Sequence, residues 1–375
     1  MDRPLDTLDN THGRGIDASG GGRAAGAGYA SRGGYVYLDS DTLQSAGGQY
    51  YGSMYKPLDR GSRGGSNDLD RSGAGGGVIH VITGFTLYLD GEISVNGGPG
   101  VRATGGGSGG SILVRVWELE GHGTMKAVGG ESPQGCGGSG GRIAAYMGTK
   151  NNYQGIFKAT GGVGSGYLLS SGGPGSVYIQ DTRNTRPYNQ FILDNSGWNW
   201  DQYYTLDEPG KLDYKFNEVH LLRSASLQML TDATQRNLII VKLYGDRTGR
   251  LHLKTNHAGF LEKAEASKTT TKSPANIWID EGAKAFMATL VYILGNGKVA
   301  FKWNGEVIGV QHLRIVPGRV VEMGPFAQTS SISNGEYRPG EPGRFNFSSF
   351  ELGAGSSFTF PTPMGMHFTV GFLVS

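Results

Sequence analysis

Cysteine is nearly absent from this chain of 375 residues, since Cys136 is the only one. A single cysteine cannot form an intramolecular disulfide, so the disulfide-stapled secreted domains are excluded. Proline is scarce as well, with 14 residues against 66 glycines, and no Gly-X-Y triplet recurs, which excludes collagen. Stability therefore has to come from packing and hydrogen bonds.

Charge is also low and balanced. Charged residues make up 18% of the chain, below the roughly 25% of an average soluble domain. The 34 basic and 32 acidic residues are spread along the sequence, so no Lys/Arg block is available to follow a phosphate backbone. No apolar run reaches the roughly 18 residues of a membrane helix. We expect neither a nucleic-acid partner nor a transmembrane segment in this chain.

The two ends predict a segment of a longer protein. Residues 1–4 lack the apolar region of a secretory signal. Residues 368–375 form an alternating apolar run with no polar cap after it, whereas solenoids need terminal caps. We expect the chain to be truncated at its C-terminus, with a signal peptide upstream and an extracellular or cell-surface location.

Glycine, by contrast, is abundant and periodic. Of the 66 glycines, 47 precede residue 181. Gly-Gly pairs precede a β-rich stretch at spacings of 33, 31 and 32 residues: Gly76-Gly77, Gly109-Gly110, Gly140-Gly141 and Gly172-Gly173. A second set follows a shorter β-rich stretch at a spacing of 32: Gly97-Gly98, Gly129-Gly130 and Gly161-Gly162. A repeat of this length indicates stacked structural units.

The repeat predicts an all-β fold, a right-handed parallel β-helix (β-solenoid) with glycine-rich corners. One unit has too little apolar surface for its own core, whereas units stacked in register bury a continuous column. Glycine suits corners because it reaches positive φ and permits close backbone approach. The predicted packing residues are Ile112, Val114, Ile143 and Val177.

Three regions are predicted. Residues 1–180 carry the repeats, 181–214 form a junction or insertion, and 215–375 continue the solenoid with different spacing. Asn296-Gly297 and Asn304-Gly305 also fit hairpin turns of an antiparallel sandwich. Whether residues 215–375 stack on the first column or form a separate sandwich stays open.

For each motif that could carry catalysis or ligand binding, a structural interpretation is favoured. The glycine run 105–110 leads into a strand, not into the helix N-terminus that phosphate binding needs. The carboxylate pairs Asp68/Asp70 and Asp207/Glu208 fit glycoside cleavage only if they converge in a groove. The eight histidines lack metal-ligand spacing. We predict no catalytic, cofactor-binding or metal-binding residue.

Two surface features remain. Asn346-Phe347-Ser348 is an N-glycosylation sequon, which has meaning only in a secreted chain. Tyrosines such as Tyr50, Tyr51, Tyr55, Tyr203 and Tyr204 either fill a solenoid wall or stack on sugars. Glycans are therefore a possible partner beside self-association.

The glycine-rich runs at 106–112, 137–144 and 172–178 resemble a repeat of very large extracellular or surface proteins of animals and protists. Residues 243–252 and 291–295 look similar to the segment that follows that repeat. The resemblance implies a parallel β-helix in a large matrix or surface protein and carries over no catalytic residue.

Together these features predict a structural component of an extracellular or cell-surface assembly. Its role would be that of a rod or fibre, in adhesion or in a matrix, acting by β-helix stacking and association with itself or with other matrix or surface proteins. The alternative is a carbohydrate-active β-helix enzyme, a polysaccharide lyase or hydrolase, or a glycan-binding module.

Overall fold

A computed structural model describes residues 13–15, 24–37, 43–66, 72–149, 151–165, 170–183, 185–197, 202–246, 248–254 and 256–266, and the strands alone beyond residue 266. Side chains of these residues are described up to residue 259, except at 37 and 43–45. The described residues are all-β, without an α-helix. Among them no helix is long and apolar enough to cross a membrane.

The strands up to residue 206 are short until β11. They are β1 Val36–Tyr37, β2 Leu43–Ser45, β3 Val78–Ile82, β4 Thr86–Tyr88, β5 Glu92–Ser94, β6 Ser111–Val116, β7 Glu118–Glu120, β8 Thr124–Lys126, β9 Arg142–Met147, β10 Ile156–Lys158, β11 Ser176–Arg183, β12 Arg186–Asp194 and β13 Tyr203–Leu206.

The later strands include three of ten residues each, β14, β16 and β18. They are β14 Asp213–Leu222, β15 Ser226–Met229, β16 Arg236–Gly245, β17 Arg250–Leu253, β18 His257–Ala266, β19 Asn276–Ile279, β20 Lys284–Met287, β21 Leu290–Ile293, β22 Val299–Phe301, β23 Glu306–Ile308, β24 His312–Ile315, β25 Val320–Glu322, β26 Gln328–Ser330, β27 Arg344–Phe347, β28 Ser349–Leu352, β29 Ser357–Thr359, β30 His367–Val370 and β31 Leu373–Val374.

The chain divides into two compact units. Unit 1 comprises residues 1–204 with 223–225, and unit 2 comprises residues 205–222 with 226–375. Each unit has its own spacing between paired strands.

Unit 1 pairs strands of successive repeats in parallel. Val78 faces Ser111, Ser111 faces Arg142 and Arg142 faces Ser176. The shorter strands follow the same step, since Glu92 faces Thr124 and Thr124 faces Ile156. The strand after each opening glycine pair and the shorter strand before each closing pair are therefore confirmed.

Apolar residues stand in register on one side of these strands. Ile79 is paired with Ile112, and Ile112 with Ile143, which is paired with Val177. Parallel columns contain Val81, Val114, Ala145 and Ile179, and Ile93, Met125 and Phe157. All belong to or pack against one hydrophobic cluster. The four predicted packing residues are fully or almost fully buried in it.

The glycine-rich segments form a second hydrogen-bonded layer. The backbone N–H groups of residues 105–110 donate in turn to three neighbouring segments, at 2.8–3.0 Å. Gly105 and Ser108 donate to the carbonyl oxygens of Gly65 and Ser62, respectively. Gly106 and Gly109 donate to those of Cys136 and Ser139, and Gly107 and Gly110 to those of Gly98 and Val95. A direction that recurs every third residue is the property of an extended chain with three residues per turn, the polyproline II geometry. We call these hydrogen-bonded segments the glycine bundle.

Close approach explains the glycines of this bundle. A Cβ on Gly106 would lie 2.1 Å from the carbonyl oxygen of Gly130, and one on Gly130 would lie 1.9 Å from that of Gly98. Among the described glycines, φ lies in the left-handed region only at Gly52, Gly121, Gly197 and Gly210. The paired glycines are therefore not corners that need positive φ. The corner role falls to Gly121, between β7 and β8, with a φ of 104°.

Unit 2 repeats a parallel ladder at a shorter step. Asp213 faces Asn237, Lys284 faces Glu306, and Glu306 faces Gln328. A second series runs through β15, β17, β19, β22, β25 and β29, and a third through β21, β24, β28 and β31. Asn296-Gly297 and Asn304-Gly305 lie outside the described residues. The strands beside them, β21, β22 and β23, pair in parallel with other strands, whereas hairpins would pair them with each other.

Two antiparallel pairs interrupt the parallel pattern in unit 1. β1 pairs with β2, and β11 forms a hairpin with β12. The sheets are accordingly mixed. Residues 181–214, predicted as a junction, contain β12, in which Phe191 and Leu193 are fully buried.

Candidate interaction surface

A shallow cleft of about 520 Å³ lies beside β6 and β9 in unit 1. Its lining comes from three successive repeats: Ile82, Thr83, Gly84, Arg115, Val116, Trp117, Tyr146, Met147 and Gly148. The residues that follow β3, β6 and β9 meet there because these strands are paired in register. Parallel stacking thus converts one position of the repeat into a continuous groove.

Trp117 is the largest side chain of the cleft, and 57% of its surface is exposed. Its six-membered ring lies against Gly148, where a Cβ would come within 2.4 Å of Cε3 and 2.8 Å of Cζ3. The backbone N–H of Trp117 donates to the Phe85 carbonyl oxygen at 3.1 Å. The indole is therefore held on the backbone of the next repeat while much of it stays accessible.

Arg115 and Tyr146 give the cleft polar groups. The Arg115 guanidinium carbon lies 5.3 Å from the centroid of the Tyr146 ring, a cation–π distance. The Tyr146 hydroxyl donates to the Tyr55 carbonyl oxygen at 2.6 Å. Because Tyr55 also packs edge-on against Tyr178, the segment around residue 55 fixes this aromatic group.

Apolar exposure is concentrated around the cleft. Ile82 is 69% exposed and Phe85 80% exposed, and Tyr88 follows on β4 at 63%. All three belong to the repeat that contains β3, β4 and β5. In the next repeat, five of the six residues of β6 are buried. The repeat at 78–94 therefore presents the most apolar surface of the described residues.

A buried arginine, Arg142, is the first residue of β9, whereas the cleft is lined by the last two. Arg142 lies between the rings of Tyr29 and Tyr204, 5.3 and 5.5 Å from their centroids. It donates to the Tyr204 hydroxyl and, at 2.7 Å, to the Tyr51 carbonyl oxygen. Burial raises the pKa of the Tyr29 and Tyr51 phenols, so both stay protonated near neutral pH. This cluster fastens the glycine-rich segments to the sheet.

Of the two predicted carboxylate pairs, Asp207/Glu208 lies in the described part of the chain. Asp68 and Asp70 lie outside the described residues. Asp207 and Glu208 follow β13 in unit 2, where the Glu208 N–H donates to the Tyr214 hydroxyl at 2.8 Å. Burial raises the pKa of Tyr214 to about 12. Among the residues that the structure describes, no carboxylate lines the cleft, so glycoside cleavage gains no support there.

The histidines and the cysteine have structural surroundings. His80, His220 and His252 lie in strands, as predicted. His257 is buried; its Nδ1 accepts from the Lys254 N–H at 3.0 Å, and its Nε2 lies 3.2 Å from the Leu230 carbonyl oxygen. Burial is the largest cause that lowers the His257 pKa, to about 4.

Cys136 is buried within the glycine bundle. Among the described residues no three His, Cys, Asp or Glu side chains are grouped to hold a metal.

The remaining predicted residues are the tyrosines and the sequon residue Asn346. Tyr51 and Tyr204 belong to the arginine cluster, and Tyr55 packs on Tyr178. Asn346 lies within β27, where it faces Thr369 of β30, and its side chain is outside the described part. Trp117 was missed by sequence reasoning. Its position directly after the alternation of Ile112, Val114 and Val116 was the available signal.

Family models, curated proteins and solved structures were all compared with this chain, and none of them matches it.

Proposed function

We propose that this chain is a structural segment of an extracellular or cell-surface assembly, built as a right-handed parallel β-helix. The observation that carries the proposal is the repeated parallel pairing of β3 with β6, β6 with β9 and β9 with β11, at steps of 33, 31 and 34 residues, with apolar columns in register. Such a ladder builds length by repetition. It suits a stiff spacer that associates with further copies or with other matrix or surface proteins.

The glycine bundle supports the same role. Residues 105–110 donate hydrogen bonds to three neighbouring segments and accept hydrogen bonds from Gly73, Ala27 and Gly130 of further segments, whereas a sheet strand has two neighbours. Two hydrogen-bonded layers in one unit make the stack resistant to local opening, because many bonds have to break together. Resistance of this kind is what a load-carrying element needs.

Immunogold electron microscopy of the native material tests this proposal. An antibody raised against residues 72–183 is expected to label a surface layer, a fibre or an extracellular matrix. Label confined to the cell interior would contradict it. Preimmune serum and antibody absorbed with the purified chain are the controls.

The Trp117 cleft favours glycan binding as a second candidate function. An exposed indole in contact with a glycine, with Arg115 and Tyr146 beside it, offers one apolar platform and two polar groups. We expect the purified chain to bind sugars in a glycan array and Trp117→Ala to lose that binding. Leu212→Ala, which removes an exposed apolar side chain in unit 2, is the matched control. Equal glycan signals from the native chain and from Trp117→Ala would dismiss the cleft as a sugar site.

A further inference from the structure

The repeat at 78–94 has one open side. β3 ends the strand series β3-β6-β9-β11, β5 ends the series β5-β8-β10, and β4 pairs with β7 alone. Among the described residues, no strand pairs with the other edge of β3, β4 or β5. These three strands follow one another in the chain, separated by corners of three residues. We call them together the open coil.

Backbone donors point out of the open coil. The N–H groups of Thr83, Leu89 and Val95 donate inward, to the carbonyl oxygens of Arg115, Glu120 and Lys126 at 2.8–2.9 Å. Because N–H direction alternates along a strand, the preceding N–H groups of Ile82, Tyr88 and Ser94 face the open side. Each strand of the open coil therefore offers a donor to an incoming strand.

The core side chains of the open coil are incompletely covered. Ile79 and Val81 are half-buried, whereas their register partners Ile112 and Val114 are 0% exposed. Leu87 and Ile93 are likewise half-buried beside Leu119 and Met125, which are 0% exposed. β6 lies between β3 and β9, and β8 between β5 and β10, whereas β3 and β5 each have a strand neighbour on one side only. Another coil would complete the burial of the open one.

We infer that the open coil is a docking surface for a second copy of this chain, which presents its own open coil. A single extended peptide would satisfy only one of the three strand edges. To pair with β3, β4 and β5 together, a partner needs strands of matching length joined by corners of matching length. The open coil of a second copy has that spacing, and a contact between two identical surfaces is isologous and closes as a dimer.

This inference rests on the proposed structural role, because it specifies which surface of the β-helix associates. The two fail separately: a monomeric chain that labels a surface layer would refute the dimer and leave the structural role standing. A dimer inside the cell would do the reverse.

Sedimentation velocity of the purified chain over a wide concentration range tests the inference. We expect a reversible dimer. Ile82→Lys with Tyr88→Lys places charges on two edge strands at exposed positions, so the fold is kept while pairing is opposed. The dissociation constant of the dimer should rise about tenfold or more. The matched control is Val101→Lys with Leu212→Lys, two exposed apolar residues that do not belong to the open coil, which should leave dimerisation unchanged.

A backbone variant and hydrogen exchange complete the test. Ser94→Pro removes an N–H on the open side, where no ladder bond is lost, and should weaken the dimer without unfolding the chain. The amides of Ile82, Tyr88 and Ser94 should exchange slowly in the dimer and fast in the double lysine variant. A monomer at every concentration, or a dimer indifferent to both variants, overturns the inference. Slow exchange of these amides in a monomer would mean that the chain covers its own edge, which overturns it too.

Discussion

The two units place parallel strands in register at different steps. In unit 1, Glu92 faces Thr124 thirty-two residues later, whereas in unit 2 Glu306 faces Gln328 twenty-two residues later. The additional length in unit 1 is a glycine-rich segment, such as residues 97–110, that leaves the strands and joins the glycine bundle. The strand ladder is thus common to both units, and the bundle is an addition that only glycine permits.

The largest expected effect comes from filling the bundle. In Gly106→Ala the new Cβ would lie 2.1 Å from the Gly130 carbonyl oxygen, which is backbone and cannot rotate away. We expect unit 1 to lose more than about 3 kcal/mol of stability, or to fail to fold, while unit 2 keeps its own transition. Urea unfolding followed by hydrogen exchange of peptides from each unit measures both.

Gly91→Ala is the matched control, because a Cβ at Gly91 meets nothing within 4 Å. It should be neutral or stabilise unit 1 by up to about 1 kcal/mol through the unfolded chain. If Gly106→Ala were as harmless as Gly91→Ala, the close packing of the bundle would be wrong.

A smaller effect separates two positions of one apolar column. Ile112→Ala removes a side chain that is 0% exposed and should cost about 2–5 kcal/mol. Ile79→Ala removes its half-buried register partner and should cost about half as much or less, since less burial is lost. Equilibrium unfolding in urea compares the two variants. Equal costs would show that Ile79 is covered as completely as Ile112.

The next prediction is that lowering the pH destabilises unit 2 through His257. The folded-state pKa of His257 is about 4, against 6.5 in a free side chain, chiefly because burial penalises the charged ring. In addition, Nδ1 accepts from the Lys254 N–H and so has no room for a proton of its own. Below pH 6.5 the unfolded chain binds more protons, so stability falls as the pH falls from 6.5 towards 4. The loss at pH 5 is about 2 kcal/mol.

The change should appear in peptides of unit 2, measured by urea unfolding at pH 7 and pH 5. His257→Gln should abolish this part of the pH dependence, whereas His122→Gln, at an exposed position of unit 1, should leave it intact. An unchanged slope in His257→Gln would assign the acid sensitivity to other groups.

The sequence predicted the strands well because their information is local. The β-rich stretches predicted after Gly76-Gly77 and Gly109-Gly110 are β3 and β6. Register followed from the repeat, which placed Ile112, Ile143 and Val177 in one column. These features need only the chain's own spacing.

The glycine bundle could not be predicted in the same way. Its glycines are required by neighbours distant in sequence, as when Gly106 donates to Cys136 and Gly107 to Gly98. The sequence located the glycines correctly, but the positive φ predicted for the glycine pairs was wrong. The cleft was missed for a related cause, since Ile82, Trp117 and Gly148 meet only after three repeats are stacked.

Hydrogen exchange of the glycine amides tests the central claim most directly. The account predicts that the amides of residues 105–110 and 137–141 exchange as slowly as those of β6, although these residues form no β-strand. The reason is that their N–H groups are buried and donate hydrogen bonds of 2.7–3.0 Å. Exchange of these amides at the rate of an unfolded chain, with β6 protected, would contradict the bundle and leave the glycines as linkers between strands.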